Sequence, residues 1–590
     1  MIFPIPKGYE ERTGVYRFKL RPNEEDLYHF YIDCLSLEEI TFSKDLMLGK
    51  EAYAMIIDQT GVKICSSCEE GNFRALTSLF QLYKRGKGAV CFAAIEDHPD
   101  FARRAYMLDI SRGRMPRPEK IKQLIDLLAL LKYNELQLYM ENFCFKYPLF
   151  PEVTEGFDCL TPADIKELEA YANDRFIDLV PNQNCFGHMG AWLEREEYKH
   201  LEVTDGKERT YTINPLLPEA NRLVDKIFDS LLPYFKSDYV NIGLDEAYGL
   251  GRYQLETYCK AHGKDTLFME NLGRIAAYIR EKYGKKVQFW ADMIIGYPES
   301  FDKIPKGATV LEWGYEVMSE RKMEKHCRYL KEKGIDFYVC PSSNTHFSLT
   351  GRFETSAYNI RTSAELGRIY GAKGCMLTDW SMDQEGHPHS IIWSYLPIAL
   401  GGMYFWNVEE EQKGYIMETY FERLAGEFLD SFVFGESVSK HLHRLANYYL
   451  LEPERVRLGT MCGMTLWQDL EKTSYGAYFD LRACGDKFYF DNVIRYINEV
   501  TEDVKALAFD EEYKQQIFLG ADTVILAAEF CKLRMGERPA AEKAKQLIAL
   551  TDRIRTQFTA LWLKTNYENG MERFLSVLDA RKSDLEGIVS

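Results

Sequence analysis

From Phe101 to about residue 400, apolar and polar positions trade between two periods. Short runs at strand spacing (AYMLDIS, ELQLYM, FIDLVPN, YVNIGLDE, VQFWADM, TVLEWGY, DFYVCPS and GCMLTDW) are each followed by turn residues and an amphipathic stretch. In PEKIKQLIDLLALLKY and DTLFMENLGRIAAYIREKYG the apolar residues recur at i, i+3, i+4 and i+7, which predicts helices. Thr161-Pro162-Ala163-Asp164 reads as a helix start: a cap, a proline at the first helical position and an acid in the first turn. The strand ends fall near 109, 141, 184, 245, 292, 315, 341 and 379, and the long interval between 184 and 245 leaves room for an insertion. Eight strand–helix units predict an α/β protein built on a (β/α)8 TIM barrel. A doubly wound sheet competes, but no Gly-rich phosphate turn follows the first strand.

The flanks differ from the middle. Residues 1–98 mix short alternating runs with one helix near 72–83 (NFRALTSLFQLY) and a strand in GAVCFAAIED, predicting a small N-terminal α/β domain that ends at Asp97-His98-Pro99-Asp100. After about residue 410 the strand signals fade, and VSKHLHRLANYYLL, TVILAAEFCKLR and AAEKAKQLIALTDRIRTQFTALWLKT are helical in period. The expected domains are 1–98, the barrel at 99–410, and a helical C-terminal domain at 411–590.

Composition narrows the function classes. Hydrophobic residues make up 46% and charged ones 28% of 590 residues, a folded balance. The 73 Lys and Arg against 90 Asp and Glu leave a net charge of −17, which argues against a chain-wide grip on nucleic acid or anionic lipid. No run approaches the roughly 20 apolar residues of a spanning helix. MIFPIPKGYEERTGVYRF places charges where an export signal has its apolar run, so a cytoplasmic location is expected. The tightest cysteine pair, Cys65 and Cys68, has no second CxxC or His pair to complete a zinc site, so the cysteines read as small hydrophobes. No metal and no cofactor are expected.

Active sites of such barrels sit at the C-terminal ends of the strands. There the chain offers Asp109, Arg112, Glu141, Asn184, His188, Asp245, Glu246, Trp290, Asp292, Trp313, Tyr315, Asp379 and Trp380. Carboxylates, one Arg, one His and several Trp suit a neutral polyhydroxylated ligand, with indoles on the faces of a sugar ring. Each residue alone has a bland reading: a barrel Trp is often core, Arg112 a bracing ion pair, His188 a packing residue. Asp245-Glu246 is the informative pair. Adjacent strand residues point to opposite faces, so both acids share a site only where the strand is ending. Retaining glycosidases with an enzyme nucleophile need two carboxylates about 5 Å apart across the bond, and sequence neighbours are poorly placed for that. They suit a reaction in which a 2-acetamido oxygen of the substrate is the nucleophile, Glu246 the general acid and Asp245 the group that orients the acetamido N–H.

Roughly residues 70–400 resemble glycoside hydrolase family 20, the β-N-acetylhexosaminidases. ARRAYMLDISRGRMP is similar to the family's first strand, where an aspartate precedes by three positions an arginine that holds outer sugar hydroxyls, mapping to Arg112. PNQNCFGHMGAW resembles the third-strand Gly-His motif, mapping to His188, and NIGLDE the fourth-strand motif closing in Asp-Glu. FWADM, LEWGY and TDW sit where the family has aromatic walls and a hydroxyl-binding acid. The sequence departs from the family where Leu244 replaces a second glycine, Asn184 a common aspartate, and TDWSMDQEGH the usual Trp-Gly-Glu. CPSSNTHF lacks the tyrosine that many members use on the acetamido oxygen, a role assigned instead to Tyr315. The resemblance implies a retaining exo-acting hydrolase that trims terminal β-GlcNAc or β-GalNAc from small glycans. A relative releasing a disaccharide and a silent sugar-binding barrel are the alternatives. Oligomeric state is not legible.

Overall fold

The computed structural model describes residues 2–381, 390–408, 416–468 and 478–589. The departure noted in TDWSMDQEGH falls largely at 382–389, outside the described residues.

The N-terminal region is a five-stranded sheet of β1 (Gly8–Arg17), β2 (Ile40–Lys44), β3 (Tyr53–Asp58), β4 (Gly61–Ser66) and β5 (Ala89–Asp97), in the order β1-β5-β3-β4-β2. Only β2 and β4 run parallel. Two helices accompany the sheet where the sequence predicts one. Glu69–Arg85 contains the expected segment, and Leu27–Ser36 opens at Asp26, whose side chain caps the His29 N–H. That first helix escapes a periodicity reading because it is only ten residues long and apolar around much of its surface.

All eight predicted barrel strands are present: β6 (Arg103–Asp109), β7 (Glu135–Met140), β8 (Asp178–Gln183), β9 (Tyr239–Asn241), β10 (Lys286–Trp290), β11 (Thr309–Trp313), β12 (Phe337–Cys340) and β13 (Gly374–Asp379). They close in sequence order, β13 pairing with β6 from Gly374–Arg103 to Asp379–Leu108. β7 is buried at every residue, as a parallel strand covered by helices on one face and a filled barrel on the other must be. Thr161 and Asp164 form the reciprocal capping box that the sequence implies.

The barrel interior is built in two layers. Its lower layer is polar: Gln137 donates to Glu135 at 2.6 Å and Gln288 at 2.7 Å, while Asn182 and Asn241 donate to Gln137. Above it lies an aromatic layer including Tyr139, Trp290, Tyr315 and Trp380, while the Tyr338 hydroxyl donates to Glu135 of the lower layer at 3.3 Å. Linked polar groups below, in which Asn182 Oδ1 and Gln288 Nε2 have no partner among the described residues, and rings above give the pocket an apolar floor.

Buried ion pairs hold the N-terminal sheet beneath the barrel. Glu51 receives Arg74 at 2.8 Å and Arg104 at 2.5 Å, and Lys132 meets Asp97 at 2.7 Å. Burial would raise the Glu51 carboxyl, but the two guanidinium groups outweigh it and hold it at about 2. The C-terminal region is helical, its longest members Glu511–Arg534 and Ala541–Thr565. It returns to the top of the barrel: Arg117 N–H donates to the Thr565 carbonyl at 3.0 Å and Tyr567 N–H to the Met115 carbonyl at 2.9 Å.

Candidate active site

The residues after β9 decide the site. This strand stops at Asn241, earlier than the sequence suggests, and the chain passes through left-handed backbone at Gly243 (φ +71°), Leu244 (+76°) and Glu246 (+46°). This contortion turns two adjacent acids to the same place. His188 Nε2 lies 3.3 Å from Asp245 Oδ2 and 3.4 Å from Glu246 Oε2. His188 itself has φ +50°. Two close backbone approaches require glycine: a Cβ on Gly187 would stand 2.2 Å from the Asp245 carbonyl, and one on Gly243 would stand 1.7 Å from Asn184 Oδ1.

On the other side of the imidazole, Nδ1 lies 3.1 Å from Arg112 Nη2 and 3.6 Å from Glu141 Oε2. Arg112 donates to Glu141 at 2.7 Å and to the Tyr139 hydroxyl at 3.1 Å, and its guanidinium lies 5.1 Å from the ring centres of Tyr139 and Trp380. The Tyr139 hydroxyl donates onward to Glu141 at 2.7 Å and accepts from Asn184 at 2.7 Å. Trp313 stacks on Tyr315 at 5.0 Å, and Trp380 Nε1 donates to the Tyr315 hydroxyl at 2.9 Å. Trp290 lies beneath Trp380, centroids 6.0 Å apart, in the floor.

Electrostatics separate the acids. Burial together with the charges of Asp245 and Glu246 pushes Asp292 up to about 7, even though its Oδ2 accepts the Glu246 N–H at 3.0 Å. Burial opposes charge on His188, but Asp245 and Glu246 outweigh it and raise the imidazole to about 10. The hydrogen bond from His188, followed by the opposing effect of burial, leaves Glu246 below its ordinary value. Asp245 Oδ1 is buried and has no hydrogen-bond partner among the described residues. Such an oxygen is costly unless something pairs with it on binding.

Three expected sugar contacts prove to face the protein. Asp109 is fully buried: one oxygen accepts the Ser111 and Arg112 N–H groups, and the other accepts the Ser381 N–H. It shapes the loop that carries Arg112. Asp379 is fully buried on Arg114 at 3.1 Å, with Ser343, Thr345 and Ser394 on its oxygens. Ser343 and Thr345 of the polar CPSSNTHF segment serve this brace, while Ser342 Oγ accepts the Asn344 N–H. Asn184 is buried against Tyr139. The pattern of strand ends cannot distinguish an acid that looks into the pocket from one that looks under its loop.

Two residues of the site escape a sequence reading. Tyr139 links Arg112, Glu141 and Asn184, and the signal for it is its alternation with Glu141 at the end of β7. Tyr248 is exposed and hydrogen-bonds Glu246, with no distinguishing pattern around it. The described residues contain no group of three or more His, Cys, Asp and Glu arranged to hold a metal ion.

Comparison with known proteins agrees with this arrangement. Residues 101–390 match the model of "Glycosyl hydrolase family 20, catalytic domain". A β-hexosaminidase of Porphyromonas gingivalis is 26% identical over 301 residues, 45% of this chain and 38% of that protein. One of Vibrio furnissii is 24% identical over 366 residues, 55% of this chain and 57% of that protein. The chain thus spans less than two thirds of the length of either relative. In fold it is similar to the crystal structure of a β-N-acetylhexosaminidase from Bacteroides fragilis, with TM-score 0.58 and 18% identity over 72% of this chain and 95% of that one. With a closed eight-stranded barrel, Arg112 and His188 at its mouth and the Asp245-Glu246 pair beside them, residues 101–390 form a catalytic domain of glycosyl hydrolase family 20.

Proposed function

We propose that the chain is a retaining β-N-acetylhexosaminidase that uses the 2-acetamido oxygen of its substrate as nucleophile. The observation that carries this reading is the placement of Asp245 and Glu246 on one imidazole nitrogen, with Asp245 Oδ1 unpartnered. An imidazole fills the space between the two acids, which an enzyme nucleophile and its acid would leave to the substrate. Asp245 Oδ1 accepts the acetamido N–H and opposes the positive charge that develops as the carbonyl oxygen closes on the anomeric carbon. The Tyr315 hydroxyl, which accepts from Trp380, keeps its proton for the acetamido oxygen. Arg112 and Glu141 take hydroxyls at the far end of the ring, while Trp313 and Trp380 supply apolar surface and Trp290, buried behind Trp380, supports it.

Glu246 needs a proton to act as general acid, yet in the free site it is a carboxylate. The proton resides on His188, 3.4 Å away. An incoming aglycone buries Glu246, which disfavours its charge and returns the proton to it. Donation to the leaving oxygen breaks the glycosidic bond, and water then opens the oxazolinium ion with Glu246 as base. Aryl β-GlcNAc and β-GalNAc should be hydrolysed, whereas the aryl β-glucoside, which lacks the nucleophile, should be inert. Rapid cleavage of the glucoside, or a sugar trapped on a protein carboxylate, would refute the reading.

A further inference from the structure

Tyr315 stands two residues beyond the end of β11, where pairing with β12 stops at Trp313 and Cys340. Past that point the backbone carbonyls have no adjacent strand to donate to them, and a buried carbonyl left unpaired is costly. Gly314 and Tyr315 each receive a side-chain amide instead. Asn359 Nδ2 donates to the Gly314 carbonyl at 2.7 Å, and Asn344 Nδ2 donates to the Tyr315 carbonyl at 3.1 Å. Both asparagines are buried and both belong to the next strand–helix unit, Asn344 after β12 and Asn359 in the helix Phe353–Tyr370. Beyond Glu316 the loop opens to solvent at Val317 and Met318, so it is these bonds that fix where Tyr315 stands.

A second tier holds the first. Arg352 Nη2 donates to Asn344 Oδ1 at 3.0 Å and to Glu316 Oε1 at 2.7 Å, and the Arg352 backbone N–H donates to the Asn344 carbonyl at 3.1 Å. The Asn344 amide therefore cannot turn, because its oxygen is fixed on Arg352 while its nitrogen holds Tyr315. Asn344 has φ +54°, a left-handed conformation that asparagine tolerates and that its surroundings must maintain. Arg352 is fully buried, and a planar guanidinium that spans two acceptors has no equivalent in lysine. Glu316 completes the circuit by accepting the Leu458 N–H at 2.9 Å, so the C-terminal region adds a bond to the same loop.

This circuit ends at the tyrosine assigned above to the acetamido oxygen. Ser343 and Thr345 turn to Asp379, and Asn344 between them turns the other way, to Tyr315. The Tyr315 ring is held by Trp313 at 5.0 Å and its hydroxyl by Trp380 Nε1 at 2.9 Å, so the amide on its carbonyl anchors the opposite end of the residue. An internal nucleophile must approach the anomeric carbon on line, and a misplacement of about 1 Å costs about 10²-fold in rate.

We propose that Asn344 and Arg352 are positioning residues for Tyr315. They act through its backbone carbonyl and set the place of the hydroxyl that aligns the acetamido oxygen for attack. This inference rests on the function proposed above. The probes are the nitrophenyl β-glycosides of GlcNAc and of its N-trifluoroacetyl analogue, whose oxygen is a far weaker nucleophile and has little alignment to lose. Tyr315→Phe is the reference variant. Asn344→Gly suits the positive φ and removes the amide while keeping the Arg352–Glu316 pair. Arg352→Lys keeps a cation beside Glu316 but does not also hold Asn344. In all three, kcat on the N-acetyl substrate should fall about 10–100-fold, with KM moving less than about threefold. The ratio of N-acetyl to N-trifluoroacetyl kcat should fall by about threefold or more. A merely structural role lowers the folded fraction, which scales both substrates equally and leaves the ratio where it was. The parent ratio in Asn344→Gly and Arg352→Lys, beside a lowered one in Tyr315→Phe, therefore overturns the positioning role and spares the proposed function. The parent ratio in Tyr315→Phe overturns it too, since Tyr315 would then align nothing. A parent chain that cleaves neither glycoside sinks both.

Discussion

Replacing Glu246 with Gln removes one of the two negative charges that hold the proton on His188. At effective dielectric constants near 20, unit charges 4 Å apart interact by about 4 kcal/mol, equivalent to about three pH units. Glu246 Oε2 lies 3.4 Å from Nε2, but its side chain is 37% exposed, so solvent screens much of this. Asp245 remains at 3.3 Å. The expected result is that His188 falls from about 10 by roughly one to two pH units in Glu246→Gln. Selective 15N-histidine labelling measures this, with His188→Asn identifying the resonance. The neutral ring should leave Nδ1 free to accept from Arg112, 3.1 Å away, so the tautomer is a second readout. Stability must follow. A histidine raised in the folded state contributes stability that is complete below its unfolded value of about 6.5 and is lost as pH rises through its folded value. In the parent chain that loss extends to about pH 10, and in the variant it should finish earlier. Turnover of poor leaving groups should fall about 10²–10⁴-fold, and of activated aryl groups less. An unmoved His188 titration would show that Glu246 does not share its proton, and the proposed reservoir would be wrong.

Further expectations are open to direct measurement. Asp292 is raised to about 7, so its proton stabilises the fold fully below about pH 4 and this contribution disappears by pH 7; Asp292→Asn should flatten the decline in Tm over that interval, and an unchanged slope would count against it. Arg112→Ala should lower both Tm and kcat/KM, because it removes the 2.7 Å partner of Glu141 and leaves only His188, 3.6 Å away; Arg112→Lys should recover Tm better than kcat/KM, since an ammonium cannot reproduce the planar fork that reaches Glu141, Tyr139 and His188. Leu244→Gly relieves a left-handed residue that costs of order 1–3 kcal/mol but empties a fully buried site worth about 2–5 kcal/mol, so Tm should fall; a rise would mean the loop is more strained than its dihedral suggests. Asp245→Asn should slow hydrolysis more than it weakens GlcNAc binding, because the charge Asp245 opposes develops only during reaction.

Much of this protein is written in its local patterns. The eight strands alternate with helices, and β12 reads as the continuous apolar run FYVC, because burial on both faces demands it. Thr161 and Asp164 mark a helix start from neighbours alone. Arg112, His188, Asp245 and Glu246 are legible because their spacing at strand ends survives as short motifs. Orientation is not local. Asp109 and Asp379 stand at strand ends as Glu141 and Asp292 nearly do, yet their oxygens are occupied by backbone, Arg114 and hydroxyls from distant segments. Only the closed barrel brings those partners together. The adjacent acids converge because positive φ at Gly243, Leu244 and Glu246 folds the loop against Gly187, a contact between separate strands. Asn569 and Gly570 lie more than 400 residues from the Asp158 and Gly113 they meet. No periodicity carries information across that distance; packing of the C-terminal helices on the barrel loops decides it.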